Sequence, residues 1–148
     1  MRTIIAVLFW ILVSIISIPL YLVELVVRCF SRDLEYKIAH WVTVTAFKVW
    51  LFIAGTKLTV TGMEKIPKDV KAMQFVSNHR GFFDIIALTS VLPVPHFIIA
   101  KKELKYLPCV NFWMKFLRCL FLDRDDVRGS VETIKTGIQQ VKDGLSVY

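Results

Sequence analysis

Residues 73–92 read MQFVSNHRGFFDIIALTSVL, and the reading of this stretch decides the fold. Met73 to Ser77 has the character of a short buried strand, and Ile85 to Leu92 is helical in pattern until Pro93 and Pro95 stop it. A strand running straight into a helix is the repeating unit of α/β domains, where ligand sites gather at such switches. His79 and Asp84 lie in this switch, five positions apart. A helix turns about 100° per residue, so positions five apart diverge by about 140° and share no face. The two side chains meet only if His79 sits just before the helix and Asp84 one turn inside it. Gly81 makes a bend between them feasible, because glycine tolerates backbone angles that other residues resist. Spacing alone leaves two readings open: a working His–Asp pair, or two polar residues near a helix start.

Downstream the alternation continues. Phe97 to Ala100 reads as a short apolar strand, and Lys101 to Leu107 as a charged helical turn broken at Pro108. Cys109 to Leu117 is apolar and aromatic, and Leu120 to Leu122 is another strand. The last helix has the clearest pattern. Val127, Val131, Ile134, Ile138 and Val141 recur at steps of four and three, the stripe of a helix with one buried face. Asp125 or Asp126 caps its start and Gly144 its end. Upstream, Lys57 to Gly62 alternates like a strand, and Gly62 to Lys68 supplies a turn. The expected fold is α/β: a largely parallel sheet flanked by helices, over residues 55–148.

Residues 1–54 are of another kind. The apolar run Ile4–Val23 has the length a helix needs to cross a hydrocarbon core, and it is too long for a signal-peptide core. Pro19 is expected to kink it, and Glu24, Arg28, Arg32 and Lys37 mark a return to a polar interface. Trp41 to Ala54 is a shorter apolar segment carrying Lys48, with Trp41 and Trp50 suited to headgroup depth. The expectation is a membrane-anchoring helical pair dipping into one leaflet, with a single true span as the alternative. Composition agrees: the 148 residues are 55% hydrophobic and 21% charged, with a mean hydropathy of +0.57. The net charge of +7 is dispersed among apolar runs. That favours anionic headgroups or a phosphorylated substrate over nucleic acid.

The chemistry available is narrow. Cys29, Cys109 and Cys119 form no CxxC pair and read as reduced core or membrane thiols. His40 begins the second apolar segment and His96 lies in a proline-flanked loop, so both read as structural. No HExxH or cysteine–histidine ligand set suggests a metal, and no G-x-S-x-G elbow suggests a covalent nucleophile. A histidine acting as general base on a substrate hydroxyl remains, and His79 is placed for it, ahead of a helix N-terminus that favours an anion. The aromatics Phe112, Trp113 and Phe116 read as core, with an acyl-chain path as the alternative.

Three blocks occur in order: VSNHRGFFD at Val76–Asp84, IIAKKELKYLP at Ile98–Pro108 and LFLDRDD at Leu120–Asp126. Together they resemble the glycerophospholipid acyltransferases of the 1-acylglycerol-3-phosphate acyltransferase type, from about Leu58 to the end. The resemblance implies a role for each matching residue. In its H-x4-D block, with Asn78 and Gly81 in support, His79 takes the proton of the acceptor hydroxyl and Asp84 orients and charge-stabilises it. A lysophospholipid, most simply lysophosphatidate giving phosphatidate, then attacks an acyl thioester with no acyl-enzyme. General-base help of this kind is worth roughly 10²–10⁴-fold. Arg124, next to Asp123, would hold the acceptor's phosphate, as a planar guanidinium suits; Lys101 and Lys102 would touch phosphate or face the membrane surface. No cofactor or metal is implied: the co-substrate is acyl-CoA or acyl carrier protein, and membrane lipids are the partners. The implied location is the membrane, at the cytoplasmic face if the source is bacterial.

Two departures stand out. Arg118 occupies a place that in the family is usually glycine. The family's glutamate-glycine-threonine-arginine block is not reached, and Leu145–Tyr148 resembles the opening of the strand that carries it. The expectation is therefore a fragment or degenerate copy of a longer enzyme, inactive by itself. The alternatives are a non-catalytic membrane-bound lipid-binding module and an acyltransferase for another lysophospholipid headgroup.

Overall fold

The computed structural model describes residues 2–78, 81–107 and 109–148, without the side chains of Arg2, Thr3, Ala6 and Phe82. The chain divides into two compact units, one running to Lys68 and including Asn78–Pro93, the other comprising Asp69–Ser77 and Val94–Tyr148.

The first unit is helical. Helix α1 covers Arg2–Phe30 and α2 covers Arg32–Ala54. Only Ser31 separates them: its backbone is extended, and its hydroxyl accepts from the Leu34 N–H at 3.2 Å, which caps α2. Gly55, at φ 75°, ends α2 in the left-handed conformation, donating to the Phe52 carbonyl at 3.0 Å while Thr56 donates to Leu51. Both helices outrun their apolar cores. α1 continues through Pro19 to Phe30, and α2 begins nine residues before Trp41. Each contains a stretch long and apolar enough to cross a membrane, Val7–Phe30 and Arg32–Ala54.

The two helices pack on each other yet leave most aliphatic side chains outside; Ile4, Leu8, Ile15 and Leu22 are each about 60% exposed. A soluble helix hides such residues, so this is a membrane-associated helical pair. Glu24 corrects the expectation of a return to solvent at that point. It is 1% exposed, because α1 continues beyond it and α2 returns alongside. Arg28 and Glu35 approach to 4.0 Å where the hairpin turns.

Lys57–Gly62 is not a strand: no ladder forms there among the described residues, and Leu58 and Val60 are exposed. Alternation supplies a face, but a strand also needs a neighbour to take its N–H and C=O groups. A single 3-10 turn follows at Met63–Lys65. Helix α3, Phe82–Val91, packs on α2, with the Trp50 and Phe83 rings 4.6 Å apart.

The second unit carries the sheet. Strands β1 (His96–Phe97) and β2 (Ile99–Lys101) are separated by Ile98 alone. A 3-10 turn at Lys102–Tyr106 follows, then α4 (Val110–Phe116), β3 (Leu120–Leu122), α5 (Val127–Lys142) and β4 (Ser146–Val147). Every pairing is parallel: β1 with β4, β2 with β3, and a bridge from Gln74 to Val147. Bonds from Phe75 N–H to Val147 O, Tyr148 N–H to Phe97 O and Leu120 N–H to Ile98 O tie these pairs together. The lateral order is residues 73–75, β4, β1 with β2, then β3. Helices connect the parallel neighbours, as such strands require.

Residues 73–75 are an edge rather than the buried strand expected, with Gln74 and Val76 exposed. Phe97 is fully buried at the centre. His96 belongs to β1 rather than a loop; it is 2% exposed, and its Nδ1 lies 3.0 Å from the Val94 carbonyl oxygen. Burial holds its pKa below the ordinary imidazole value.

Helix α5 starts at Asp126, whose carboxylate accepts from Gly129 N–H at 3.1 Å, and Gly144 follows its end at φ 100°. Its buried face is not the aliphatic stripe. Gly137 is the buried residue, and a Cβ there would stand 3.2 Å from Leu120 Cδ1. Ser130, Thr133, Gln140 and the last stripe residue, Val141, flank it half-buried, while Val127, Val131, Ile134 and Ile138 are 42–73% exposed. The helix comes closest to the sheet at Gly137, where no side chain fits between them, and most of the aliphatic stripe falls to one side of that contact.

Candidate active site

The first block is organised locally. Helix α3 begins at Phe82, Gly81 is its N-cap, and Asp84 is its third residue. The Asp84 carboxylate accepts from the Gly81 N–H at 3.0 Å, and the Asp84 N–H donates back to the Gly81 carbonyl at 3.2 Å. An anionic side chain in the first turn also meets the positive end of the helix dipole. Gly81 is extended, at φ −155°, and a Cβ there would meet nothing within 4 Å. The bend therefore does not use glycine's special freedom. Asn78 is exposed. His79 lies outside the described residues.

The second block is organised across the sheet. Lys101 pairs in register with Leu122 on parallel strands, so the next residues, Lys102 and Asp123, emerge side by side at the strands' carboxyl ends. Lys102 Nζ stands 2.7 Å from Asp123 Oδ1 and 2.9 Å from Asp125 Oδ2. The Asp125 N–H also donates to Asp123 Oδ1 at 3.0 Å, and the Ser130 hydroxyl donates to the Asp123 carbonyl. Hydrogen bonding to Lys102 holds the Asp123 carboxyl below the usual carboxylate range. The bonds to Asp123 and Asp125 raise the Lys102 ammonium above the usual lysine value. Arg124 sits between the two braced aspartates, exposed and in no ion pair among the described residues. Lys101 turns to Glu103 at 3.1 Å, both more than half exposed, a pairing worth little.

Around this edge, Ser77 Oγ and the Tyr148 hydroxyl are 2.7 Å apart. Sequence reasoning missed Asp125, Ser77 and Tyr148; the signal that finds them is strand register, which spacing along the chain does not carry. Phe116 is 3% exposed and packs edge-on to Trp113 with ring centres 6.1 Å apart, whereas Phe112 is 42% exposed. Cys119 is buried, accepts from Ile98 N–H at 3.4 Å, and has its thiol pushed up to about 12 by burial. That thiol is inert.

Arg118 gives the departure from glycine a structural meaning. Its φ is +56°, in the left-handed region. The turn from α4 into β3 therefore needs a conformation that glycine adopts freely and arginine does not.

Comparison with known proteins now places the chain. The sequence pattern of the family described as Acyltransferase matches residues 57–148. A 1-acyl-sn-glycerol-3-phosphate acyltransferase of Saccharomyces cerevisiae is 31% identical over 106 residues, 71% of this chain and 34% of that protein. One from Borreliella burgdorferi is 29% identical over 100 residues, 68% of this chain and 40% of that protein. The crystal structure of PlsC, the 1-acyl-sn-glycerophosphate (LPA) acyltransferase of Thermotoga maritima, superposes with a TM-score of 0.68 at 26% identity. That likeness covers 99% of this chain and 61% of the other. The chain thus spans roughly a third to two fifths of the length of these two curated relatives. With all three motif blocks inside the matched region, the chain belongs to the acyltransferase family.

Proposed function

We propose that the protein transfers an acyl group from a thioester to the free hydroxyl of lysophosphatidate, forming phosphatidate at a membrane surface. The observation that carries this reading is the family match over residues 57–148, which contains His79, Asp84 and Arg124 together. The names of the relatives and of the structural neighbour support the acceptor class. In the proposed reaction His79 accepts the acceptor's hydroxyl proton as the oxygen attacks the thioester carbonyl. The tetrahedral adduct collapses, the C–S bond breaks, and the imidazolium returns its proton to the leaving thiolate. Asp84 stabilises the imidazolium and fixes its orientation. That role is supported by a carboxylate pinned at the start of α3 rather than free on a loop.

Arg124 receives the acceptor phosphate, supported by its exposure between two aspartates already committed to Lys102. Lys102 offsets the two aspartates that flank Arg124, Lys101 touches phosphate or faces the membrane surface, and Asp123, Asn78 and Gly81 support the two blocks. Residues 1–54 hold the enzyme at the bilayer, on the cytoplasmic face in a bacterium, and residues 55–148 carry the chemistry. The donor is acyl-CoA or acyl carrier protein.

The test is phosphatidate formation from lysophosphatidate and a labelled acyl thioester by the full-length protein in vesicles. Turnover is expected, and His79→Ala is expected to lower it by roughly 10²–10⁴-fold, the span of general-base catalysis. Full activity in His79→Ala removes the base assignment. Absence of turnover alongside specific lysophosphatidate binding favours the non-catalytic lipid-binding reading.

A further inference from the structure

Helix α5 turns its most hydrophobic face away from the sheet. Val127, Val131, Ile134 and Ile138, spaced by four, three and four, form one stripe and are 73, 49, 42 and 51% exposed. The helix meets the sheet closely at Gly137, with Ser130, Thr133, Gln140 and Val141 half-buried around it, and these four aliphatic side chains lie outside that contact. An uncovered aliphatic row of this length on a helix marks a contact surface.

The neighbouring charges say what covers it. Arg128, Lys135 and Lys142 recur every seven residues, a spacing that drifts only about 20° per step around a helix. They form one exposed row along the edge of the stripe that lies away from the sheet-facing residues. None of the three is in an ion pair among the described residues. Glu132, Thr136 and Asp143 lie further round, behind the cations, and Asp143 accepts from Gln139 at 3.0 Å. The Lys142 carbonyl, at the open end of the helix, accepts from Lys71 Nζ at 3.3 Å, which adds a fourth cation there. Going round α5, the order is Gly137 and its half-buried neighbours against the sheet, then aliphatic, then basic, then polar.

We propose that α5 lies in the plane of an anionic bilayer, with its aliphatic stripe at the acyl boundary and Arg128, Lys135 and Lys142 on lipid phosphates. A helix buried against another protein has no need of cations between its apolar and polar faces. A helix in the headgroup layer has, because the acyl boundary and the phosphates lie at successive depths. The α1–α2 hairpin already brings the chain to lipid, so a weak surface contact is made at high effective concentration. This gives the sheet-bearing unit a lipid contact of its own, separate from the hairpin's.

The test places the photoreactive residue p-benzoylphenylalanine at position 134, 138 or 136 of the full chain in vesicles, and weighs the products by mass spectrometry. In phosphatidylglycerol vesicles, positions 134 and 138 are expected to give phospholipid adducts and position 136 severalfold fewer. Arg128→Gln, Lys135→Gln and Lys142→Gln are each expected to cut the adduct yield by up to about fivefold, the worth of one cation near an anionic surface. Phosphatidylcholine vesicles should show a comparable loss. Circular dichroism confirms that each variant keeps its helices. Lipid adducts absent from 134 and 138, or adducts there to protein instead, overturn the proposal. So does a yield indifferent to both lipid charge and the three cations.

Discussion

The two motif blocks are held in place by opposite means. Asp84 is fixed by a partner three residues away, through a reciprocal bond pair with Gly81 that any chain entering a helix can make. Asp123 is fixed by Lys102, 21 residues away, through a contact that exists only once β2 and β3 are paired in register. The first arrangement survives local changes around it, and the second depends on the whole sheet. The first block is thus set by helix initiation, and the second reports on tertiary packing.

The largest effect is expected at Asp84. Asp84→Asn keeps an oxygen for the Gly81 N–H while removing the charge. It is expected to leave α3 intact by circular dichroism and to lower acyl transfer by roughly 10²–10⁴-fold. Asp84→Ala removes the cap as well and adds about 1 kcal/mol of destabilisation. Equal activity in wild type and Asp84→Asn would reduce the carboxylate to a helix cap.

Lys102→Met tests the non-local block. Losing the brace between β2 and the 123–126 loop is expected to raise the KM for lysophosphatidate severalfold with little change in kcat. The effect on unfolding should be small, since exposed ion pairs contribute little. Its pH dependence has a definite sign. The Asp123 carboxyl is held low, so its contribution is present above the ordinary carboxylate pKa of about 4 and is lost as pH falls through the lower folded value. Lys102 is held high, so its contribution is present below the ordinary lysine pKa of about 10 and is lost as pH rises through the higher folded value. The stability difference between wild type and Lys102→Met should be flat from about pH 5 to 9 and shrink in stronger acid.

The same divide explains what could be read from the sequence. α3, α5, β3 and the caps at Asp126 and Gly144 follow from periodicity and local chemistry, as does the switch that carries Asp84. The failures are all non-local. Lys57–Gly62 alternates but finds no partner, and residues 73–75 form an edge because β4 enters between them and β1. The α5 stripe has the expected spacing but lies beside the sheet-facing side of the helix rather than on it. Hydrophobic periodicity identifies an apolar face, but the close approach at Gly137 decides which face meets the sheet. Glu24, buried inside the hairpin, was legible only as a charge ending an apolar run.

Arg118 offers the finest test, because there a local residue choice and the non-local block conflict. The turn into β3 requires φ near +56°, a conformation that costs a side-chain-bearing residue about 1–2 kcal/mol. Glycine removes that strain and gives back part of the gain as unfolded-state entropy. Arg118→Gly is therefore expected to stabilise the chain by about 1 kcal/mol, raising Tm by a few degrees. Arg118→Val, β-branched at the same φ, should lower it. Hydrogen exchange should slow at Leu120–Leu122, the strand that the turn launches, while the first turn of α3 is unchanged. If Arg118→Gly destabilises instead, the arginine's own contacts outweigh the strain, and the departure from glycine would be a substituted interaction rather than a tolerated cost.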